Sequence, residues 1–395
     1  IMLNALLKRI SYFLKGNILL CLFLFISVTC FSQQYYYKNY TTKDGLPSNE
    51  VYYVLQDSKG YMWFATNYGV SRFDGYTFTN FDSQNGLPDN TVFEIFEDYK
   101  GRIWFISSSA KLSYYYNDSI HLYWNNEFFL KTIKEVPVIA NKSFYVDEQD
   151  NVFIGIFYNG LWEISKEGRV TRKNQEIKES NNMLLLDKDK DRVFLDCDNK
   201  NPGRLITIFS KGEYAFEIKI NEEIFTGKKL AILGLDNQIY LSDNSILYSI
   251  SDSTHILKKN FNEMIISLNI IDNNLWVGTY LGGFYCFKNG NITKEPDFRF
   301  FSGKAGSNVI IDKEGGYWFS TLTNGVYYLP SIKIRSISSN ENFNKNSINM
   351  VALGDNDIIC ASNTNNSMFF VKNDKIRKQL FIQNKFPFLS ICYDK

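Results

Sequence analysis

Two neighbouring stretches of the chain nearly copy each other at a spacing of 41 residues, and this spacing limits the folds that the chain can adopt. Trp63 and Trp104 stand 41 residues apart. The turn segment Asp44-Gly45-Leu46-Pro47-Ser48-Asn49 returns, again 41 residues later, as Asn85-Gly86-Leu87-Pro88-Asp89-Asn90. Self-similarity at roughly 40–45 residues, with strand-like content in each copy, is typical of a β-propeller.

The repeat unit is defined by an aspartate that stands six residues before an aromatic anchor. Four copies show it clearly: Asp57 and Trp63, Asp98 and Trp104, Asp147 and Phe153, Asp312 and Trp318. Trp276 anchors a fifth copy, and weaker copies centre near Phe194, Tyr240 and Ile359. A buried tryptophan covers roughly 150–250 Å², so packing between blades is sufficient reason for these anchors.

Each copy has the pattern of a four-stranded antiparallel blade. The first copy predicts strands at 51–56, 61–66, 70–73 and 77–81. Gly60 and Gly101 fall where the first hairpin of each blade needs a positive φ, and the aspartate before each of them can cap the turn. The sequence therefore predicts an all-β fold of propeller blades.

Eight copies fit before a truncated ninth. We expect seven of them, ending near Ser338, to complete one ring, followed by the start of a second propeller that the C-terminus truncates. The corresponding domains are a signal peptide at 1–32, an N-terminal propeller at 33–338 and the first blade of a second propeller at 339–395. A single eight-bladed ring is the alternative. The strand at Tyr35–Thr42 precedes the first inner strand and is placed to close a ring as an outer strand.

The first 32 residues have the pattern of a secretory signal peptide. Lys8, Arg9 and Lys15 precede an apolar run of about eleven residues, Ile18 to Val28, and Cys30 and Ser32 stand at the cleavage-site positions. Eleven residues fall short of the roughly 20 that span a bilayer. An uncleaved anchor and a lipid anchor on Cys30 are the alternatives to cleavage and export.

Charge argues against nucleic acid and anionic membranes as main partners. The chain has 43 basic and 42 acidic residues, and without the three basic residues of the first 32 it has 40 and 42, a net charge of −2. A near-neutral balance lacks the basic surface that binds such partners. Contact with a membrane is expected only through segments after the C-terminus of this chain.

The full pattern resembles the two-component regulator propeller repeat. The residues that carry the resemblance are Asn49, Val51, Val54, Asp57, Gly60, Trp63, Ala65, Thr66, Gly69, Val70, Phe73, Asp74 and Gly75. Proteins of this kind are the periplasmic sensor regions of membrane histidine kinases, common in Bacteroidota. The resemblance implies a parent receptor that is anchored in the inner membrane, forms a homodimer and carries a kinase absent from these residues.

Candidate ligand contacts are tyrosine and tryptophan side chains that can stack on sugar rings. Tyr115 belongs to the run Tyr114-Tyr115-Tyr116, and Tyr123 precedes Trp124. In a strand, successive side chains point to opposite faces, so part of each cluster is expected to pack inward.

Catalytic and metal chemistry have weak support in the sequence. Asp187, Asp189 and Asp191 alternate with lysines and lack the glycine and distal glutamate of a calcium loop. His121 and His255 have no nucleophile and acid arranged around them. We expect no catalytic residue, no metal site and no cofactor.

These observations together predict a periplasmic, ligand-sensing propeller region of a sensor histidine kinase, with an oligosaccharide as a candidate signal. An exported scaffold for protein–protein contact and a secreted polysaccharide-active enzyme are the alternatives.

Overall fold

The structure, a computed structural model, describes residues 37–133, 137–139, 142–156, 159–172, 238–251 and 255–332 with their side chains, and elsewhere only the backbone of the strands named below. The chain divides into two compact units. One unit is Tyr37–Ser331, and the other combines Ile1–Tyr36 with Ile332–Lys395. The predicted signal peptide lies outside the described residues, and the predicted domain boundaries stay predictions.

In each of six four-stranded antiparallel sheets of the first unit, the side chains of at least three strands are described, and we call these sheets blades 1 to 6. Blade 1 comprises β3 (Val51–Gln56), β4 (Met62–Thr66), β5 (Gly69–Phe73) and β6 (Phe78–Phe81). Blade 2 comprises β7 (Val92–Glu97), β8 (Ile103–Ser107), β9 (Leu112–Tyr116) and β10 (Ser119–Leu122). Blade 3 comprises β11 (Ile139–Val146), β12 (Val152–Ile156), β13 (Gly160–Ile164) and β14 (Val170–Arg172).

The remaining three blades follow later in the chain. Blade 4 comprises β19 (Lys229–Leu233), β20 (Ile239–Asp243), β21 (Ile246–Ile250) and β22 (Ile256–Asn260). Blade 5 comprises β23 (Ile265–Ile271), β24 (Asn274–Thr279), β25 (Gly283–Phe287) and β26 (Phe298–Phe300). Blade 6 comprises β27 (Gly306–Ile311), β28 (Tyr317–Thr321), β29 (Val326–Leu329) and the N-terminal strand β2 (Lys38–Tyr40). One α-helix, α1 (Asn126–Ile133), follows β10, and short 3₁₀ turns lie at Ser83–Asn85 and Lys288–Gly290.

The predicted seven-bladed ring with the start of a second propeller requires correction. The structure supports an all-β propeller with six blades described through their side chains. The weak copy near Phe194 lies in a further four-stranded sheet, β15 (Met183–Lys188), β16 (Asp191–Cys197), β17 (Arg204–Ser210) and β18 (Glu213–Ile220), of which only the backbone is described. Anchor spacing shows where sequence copies recur, but it does not show whether each copy packs as a blade. The count from anchors was therefore wrong.

The second propeller is not shown either. In the second unit, β1 (Gln34–Tyr35) pairs with β30 (Arg335–Ser336). The strands β31 (Ile348–Leu353), β32 (Ile359–Asn363), β33 (Ser367–Lys372) and β34 (Lys375–Phe381) form one four-stranded sheet. A single sheet in sequence order is compatible with many all-β folds, so it does not establish another ring.

Tryptophans fill the interfaces between successive blades. Trp63 of blade 1 packs in one cluster with Ile95 and Phe105 of blade 2, and Trp318 of blade 6 packs with Val54 and Phe64 of blade 1. Burying an area of about 150–250 Å² at about 25 cal/mol per Å² gives roughly 4–6 kcal/mol per indole as an upper bound. The flat faces of the blades are thus joined by the aromatic anchors that the repeat carries.

A buried aspartate joins each anchor to the hairpin that precedes it. The indole Nε1 of Trp63 donates to Asp57 Oδ2 at 2.7 Å, that of Trp104 to Asp98 Oδ2 at 2.8 Å, and that of Trp318 to Asp312 Oδ2 at 2.7 Å. The other carboxylate oxygen accepts from a backbone N–H of the turn, as from Tyr61 N to Asp57 Oδ1 at 2.8 Å. One carboxylate therefore fixes the turn and the indole together.

Two copies deviate from this arrangement in informative ways. Asp147 stands six residues before Phe153, whose ring has no N–H group. The side-chain amide of Asn151 donates to Asp147 Oδ2 at 3.0 Å instead. Trp276 has Ile270 at the position of the aspartate, and its buried Nε1 has no hydrogen-bond partner among the described residues. The aspartate and the indole are thus separable parts of the repeat.

Removing the carboxylate of Asp57 is expected to destabilise the propeller strongly. Asp57→Ala leaves the indole N–H of Trp63 and the amide of Tyr61 without their acceptor, and each buried orphan donor costs about 1–3 kcal/mol. Urea denaturation of the chain should show a loss of about 2–5 kcal/mol. Asp74→Ala is the matched control, because Asp74 caps an exposed turn of the same blade without touching an indole. Equal losses in the two variants would refute the role assigned to Asp57.

The N-terminal strand completes blade 6. β2 pairs antiparallel with β29 as its outer strand, with Lys38 opposite Tyr328 and Tyr40 opposite Val326. The ring of Tyr40 stacks on Trp318 with centroids 5.6 Å apart and meets the edge of Phe73 at 5.2 Å. The first strand of the unit is therefore held between the last blade and the first.

Truncating Tyr40 should open this closure. Tyr40→Ala removes a buried aromatic ring from the contact between blades 6 and 1, and such truncations cost about 3–5 kcal/mol. The free energy of unfolding from urea titration measures the loss. Tyr76→Ala, which removes an almost fully exposed ring from blade 1, should change it by no more than about 0.5 kcal/mol. A Tyr40→Ala variant as stable as Tyr76→Ala would contradict closure by β2.

Candidate functional site

One end of the propeller is organised by hydrogen bonds between two kinds of loop. We call the segment that leads into the first strand of a blade the link of that blade. The turn between the second and third strands of a blade forms backbone hydrogen bonds with the link of its own blade and with the link of another blade. Ser108 N donates to Thr91 O at 2.9 Å and Tyr280 N to Met264 O at 3.0 Å, within blades 2 and 5. Gly69 N donates to Asn90 O at 2.6 Å, from blade 1 to the link before blade 2. We call this end of the propeller the link face.

Two aromatic side chains of adjacent inner strands meet near the link face, a half-buried Tyr52 and an exposed Phe93. The ring of Tyr52 meets that of Phe93 edge-on with centroids 5.0 Å apart, and Phe93 is 45% exposed. Tyr52 Oη donates to Glu50 Oε1 at 2.7 Å, and Asn67 Nδ2 donates to Glu50 Oε2 at 2.9 Å. An apolar ring beside hydrogen-bonded polar groups is a surface that suits a ligand with both apolar and polar faces.

β-bulges at equivalent positions of the inner strands determine the direction of these aromatic side chains. The register shifts after Val51 in β3, Val92 in β7, Ile265 in β23 and Gly306 in β27. A bulge places two residues opposite one and redirects the side chains that follow. Tyr52 and Phe93 occupy the extra position. The sequence carried a usable signal, since these two aromatics are themselves 41 residues apart.

Below the bulges, polar side chains of the inner strands meet. Lys142 of β11 extends to β23, where its Nζ donates to Leu268 O and to Asn269 Oδ1, each at 2.6 Å. Asn308 Nδ2 of β27 donates to the same Asn269 oxygen at 3.3 Å. The backbone N–H of Lys142 donates to Glu94 Oε2 of β7 at 2.7 Å. We call Glu94, Lys142, Asn269 and Asn308 the axial cluster.

The position of Lys142 shows that this cluster lies in the space enclosed by the inner strands. β11 packs beside β7, whereas β23 packs beside β19 and β27. The side chain of Lys142 therefore joins inner strands that are not neighbours. Its backbone has φ +57 within a wide bulge of β11 between Ile139 and Phe144.

Burial shifts the pKa values of the axial cluster. Desolvation raises the pKa of Glu94 to about 7, against smaller opposing effects of the Lys142 amide and charge. Desolvation lowers the pKa of Lys142 to about 8, and the charge of Glu94 opposes that shift. The pKa of Tyr53, whose side chain faces Glu94 from β3, is raised by burial and by the Glu94 charge. Acid and base groups of adjusted pKa thus face one another inside the ring.

The residues predicted from the sequence as ligand contacts lie elsewhere. Tyr115 is buried, accepts a hydrogen bond from Arg72 Nη1 at 2.7 Å and donates to Asp118 Oδ1 at 2.8 Å. Tyr123 is buried against Trp104, with centroids 5.5 Å apart. Trp124 is 66% exposed. All three residues therefore have packing partners, since the ring of Trp124 lies 6.0 Å from that of Tyr123 between centroids and also packs against Gly168.

The remaining candidates of the sequence add no catalytic arrangement. His121 is exposed and stacks on Tyr114 with centroids 5.4 Å apart. The side chains of Asp187, Asp189 and Asp191 lie outside the described residues. In the part of the chain that the structure describes, no group of three or more His, Cys, Asp or Glu side chains is placed to hold a metal ion.

Helices contribute little to the described part of the chain. Among the residues described, none of the helices has the length and apolar character needed to cross a membrane.

The repeats match a known family at two places. The two-component regulator propeller family matches residues 45–68 and 86–109, which contain the turn, the aspartate and the tryptophan of blades 1 and 2. These two segments of the chain are therefore similar to two-component regulator propeller repeats. No curated protein matches it by sequence.

Solved structures share the fold of this chain at low identity. The extracellular domain of a protein assigned as the hybrid two-component system BT3049 from B. thetaiotaomicron is 16% identical, with a TM-score of 0.58, and the match covers 88% of this chain and 50% of that domain. The corresponding domain of BT4673 from the same organism is 16% identical, with a TM-score of 0.54, and the match covers 90% of this chain and 48% of that domain. This chain therefore spans about half the length of these two domains. Virginiamycin B lyase from Staphylococcus aureus is 15% identical, with a TM-score of 0.57, covering 75% of this chain and 99% of the lyase.

Replacing the carboxyl group of Glu94 should change how stability depends on pH. The pKa of Glu94 is raised by folding from 4.5 to about 7, so its neutral form stabilises the fold below pH 4.5 and this contribution is lost as the pH rises through 7. Urea titrations of Glu94→Gln between pH 5 and pH 7.5 should show a smaller loss of stability with rising pH than the unmodified chain. Glu97→Gln is the control on the same strand. An unchanged slope in Glu94→Gln would contradict burial of an ionisable carboxyl group at this place.

Proposed function

We propose that this propeller is the extracytoplasmic ligand-sensing region of a two-component sensor histidine kinase. The observation that carries the proposal is the pair of family repeats at 45–68 and 86–109. The shared fold with extracellular domains assigned to two-component systems supports the same placement of the chain. The propeller would then lie in the periplasm, and the kinase would follow beyond a membrane segment of the parent receptor.

The proposed role of these residues is binding rather than catalysis. The exposed ring of Phe93 and the half-buried ring of Tyr52 lie at the link face beside the carboxylate of Glu50, and a sugar ring can stack on this surface and donate hydrogen bonds to it. An oligosaccharide is therefore the candidate signal. A ligand changes signalling only if it binds one arrangement of the receptor better than another. In the parent, this arrangement would involve a second copy of the propeller.

Two other functions have specific features in their favour. The aromatic rings of the link face also suit a partner protein, because such residues are enriched where proteins bind each other. The fold is shared with virginiamycin B lyase, so it is compatible with an enzymatic function. A polysaccharide-active enzyme would release reducing ends from its substrate, whereas a sensor or a scaffold would leave the substrate intact.

Ligand binding should raise the melting temperature of the chain. A ligand at a hundredfold excess over its Kd stabilises the folded state by about 2.7 kcal/mol, which corresponds to about 5 °C for a protein of this size. We expect an oligosaccharide from a panel of plant and host glycans to produce this shift in scanning fluorimetry, without release of reducing ends.

A pair of variants locates the binding surface. Phe93→Ala should abolish the shift, whereas Tyr99→Ala should retain it, because Tyr99 is 46% exposed beyond the other end of the same inner strand. If no glycan, peptide or small metabolite raises the melting temperature, or if both variants lose the shift alike, the proposed sensing surface is wrong.

A further inference from the structure

Two amide groups of the axial cluster are buried with one polar atom each unpaired. Asn269 is 5% exposed and Asn308 is 2% exposed. Among the residues whose side chains are described, the Nδ2 of Asn269 and the Oδ1 of Asn308 have no hydrogen-bond partner, although the other atom of each amide is bonded. Because the Asn308 amide donates to the Asn269 oxygen, the two side chains are in contact and their unpaired atoms lie close together. Buried polar atoms in native proteins usually have a partner, so this pair indicates a site for one.

The charge beside this place is positive. The ammonium group of Lys142 lies 2.6 Å from the same Asn269 oxygen, and the residue as a whole is half-buried. An ammonium group has three donors, of which two point to Leu268 O and Asn269 Oδ1. The cluster thus offers N–H donors from a cation and an amide, and one acceptor from Asn308.

These donors and this acceptor define the chemistry of a ligand. A carboxylate oxygen accepts hydrogen bonds from ammonium and amide groups, and such charge-assisted bonds are the stronger kind. The Asn308 oxygen requires a hydroxyl or an amino group within reach of that carboxylate. A phosphate would bring more negative charge close to the buried Glu94 than one lysine compensates.

We propose that the axial cluster binds a small carboxylate that carries a hydroxyl or amino group on the adjacent carbon. The carboxylate lies between Lys142 and Asn269, and the hydroxyl or amino group donates to Asn308. This inference does not rest on the proposed sensing of oligosaccharides at the link face, since it concerns different residues deeper in the ring.

Glu94 couples this binding to a proton. The titratable groups that face Glu94 from the described strands are Tyr53 of β3 and Lys142 of β11. A bound carboxylate adds a negative charge near Glu94 and favours its neutral form. Binding is therefore accompanied by proton uptake near neutral pH, and it weakens above pH 8, where Glu94 is charged and Lys142 loses its charge.

Calorimetric titration of the whole chain with glycolate tests the proposal. Glycolate is the smallest ligand of this class, and we expect a Kd of about 1 mM at pH 6.5. Glycolamide, which has the same shape without the charge, should bind at least about tenfold more weakly, as should acetate, which lacks the hydroxyl group. Titrations in buffers of different ionisation enthalpy should reveal the proton uptake. Equal binding of glycolate and glycolamide, or saturable binding of none of these compounds, would overturn the proposal.

Variants place the binding in the axial cluster. Lys142→Met should abolish glycolate binding, whereas Lys59→Met, which removes an exposed lysine from a hairpin of blade 1, should leave it unchanged. Asn308→Asp keeps the size of the side chain and replaces an amide with a repelling carboxylate, so it should weaken binding even if Lys142→Met fails to fold. Glu94→Gln should remove the proton uptake from whatever binding remains, because the amide does not titrate. Unchanged binding in Asn308→Asp would place glycolate elsewhere and refute the site.

Discussion

The hydrogen bond between a buried aspartate and the indole six residues later is the interaction that organises blades 1, 2 and 6. A blade is a twisted sheet that must bury both faces, and the indole covers much of the area between one blade and the next. The indole N–H needs an acceptor within that apolar interface. The aspartate supplies it while its other oxygen holds the preceding turn, as Asp312 does for Gly316 N at 2.7 Å and Trp318 Nε1 at 2.7 Å. Local turn geometry and packing between blades are thereby set by one carboxylate.

The inner strands combine this rigidity with a polar interior. The second strand of a blade is buried at every position, as in β4 and β8, whereas the inner strands combine buried apolar residues with bulges and polar side chains. The bulges at Tyr52 and Phe93 turn aromatic rings outward, and the wide bulge around Lys142 sends its side chain to β23. The surface at the link face and the axial cluster therefore arise from the same departure from regular pairing.

Local features of the fold were accessible from the sequence. The strands of blade 1 were predicted at 51–56, 61–66, 70–73 and 77–81, and each lies within one residue of its observed bounds. Gly60 and Gly101 have φ +93 and +72, as the hairpins required. These features follow from residues close in sequence. The family was also recognisable, because the repeats of blades 1 and 2 carry its full pattern.

Features that depend on distant residues were not accessible. The number of blades was wrong because anchor spacing does not report packing. Tyr115 was a candidate ligand contact, yet its hydroxyl group is bonded to Arg72, 43 residues away in blade 1. Lys142 and Asn269 are separated by 127 residues, and neither stands in a motif. Only the ring brings them together, so the axial cluster could be identified from the structure alone.

Exchange of the indole N–H protons with solvent tests the central interaction most directly. The chain has six tryptophans, and ¹⁵N labelling of tryptophan gives one resonance for each. The account predicts the slowest exchange and hydrogen-bonded chemical shifts for Trp63, Trp104 and Trp318, a shift without a hydrogen bond for Trp276, and fast exchange for Trp124. Resonances of Trp63, Trp104 and Trp318 that exchange as fast as Trp124, or that match Trp276 in chemical shift, would contradict it.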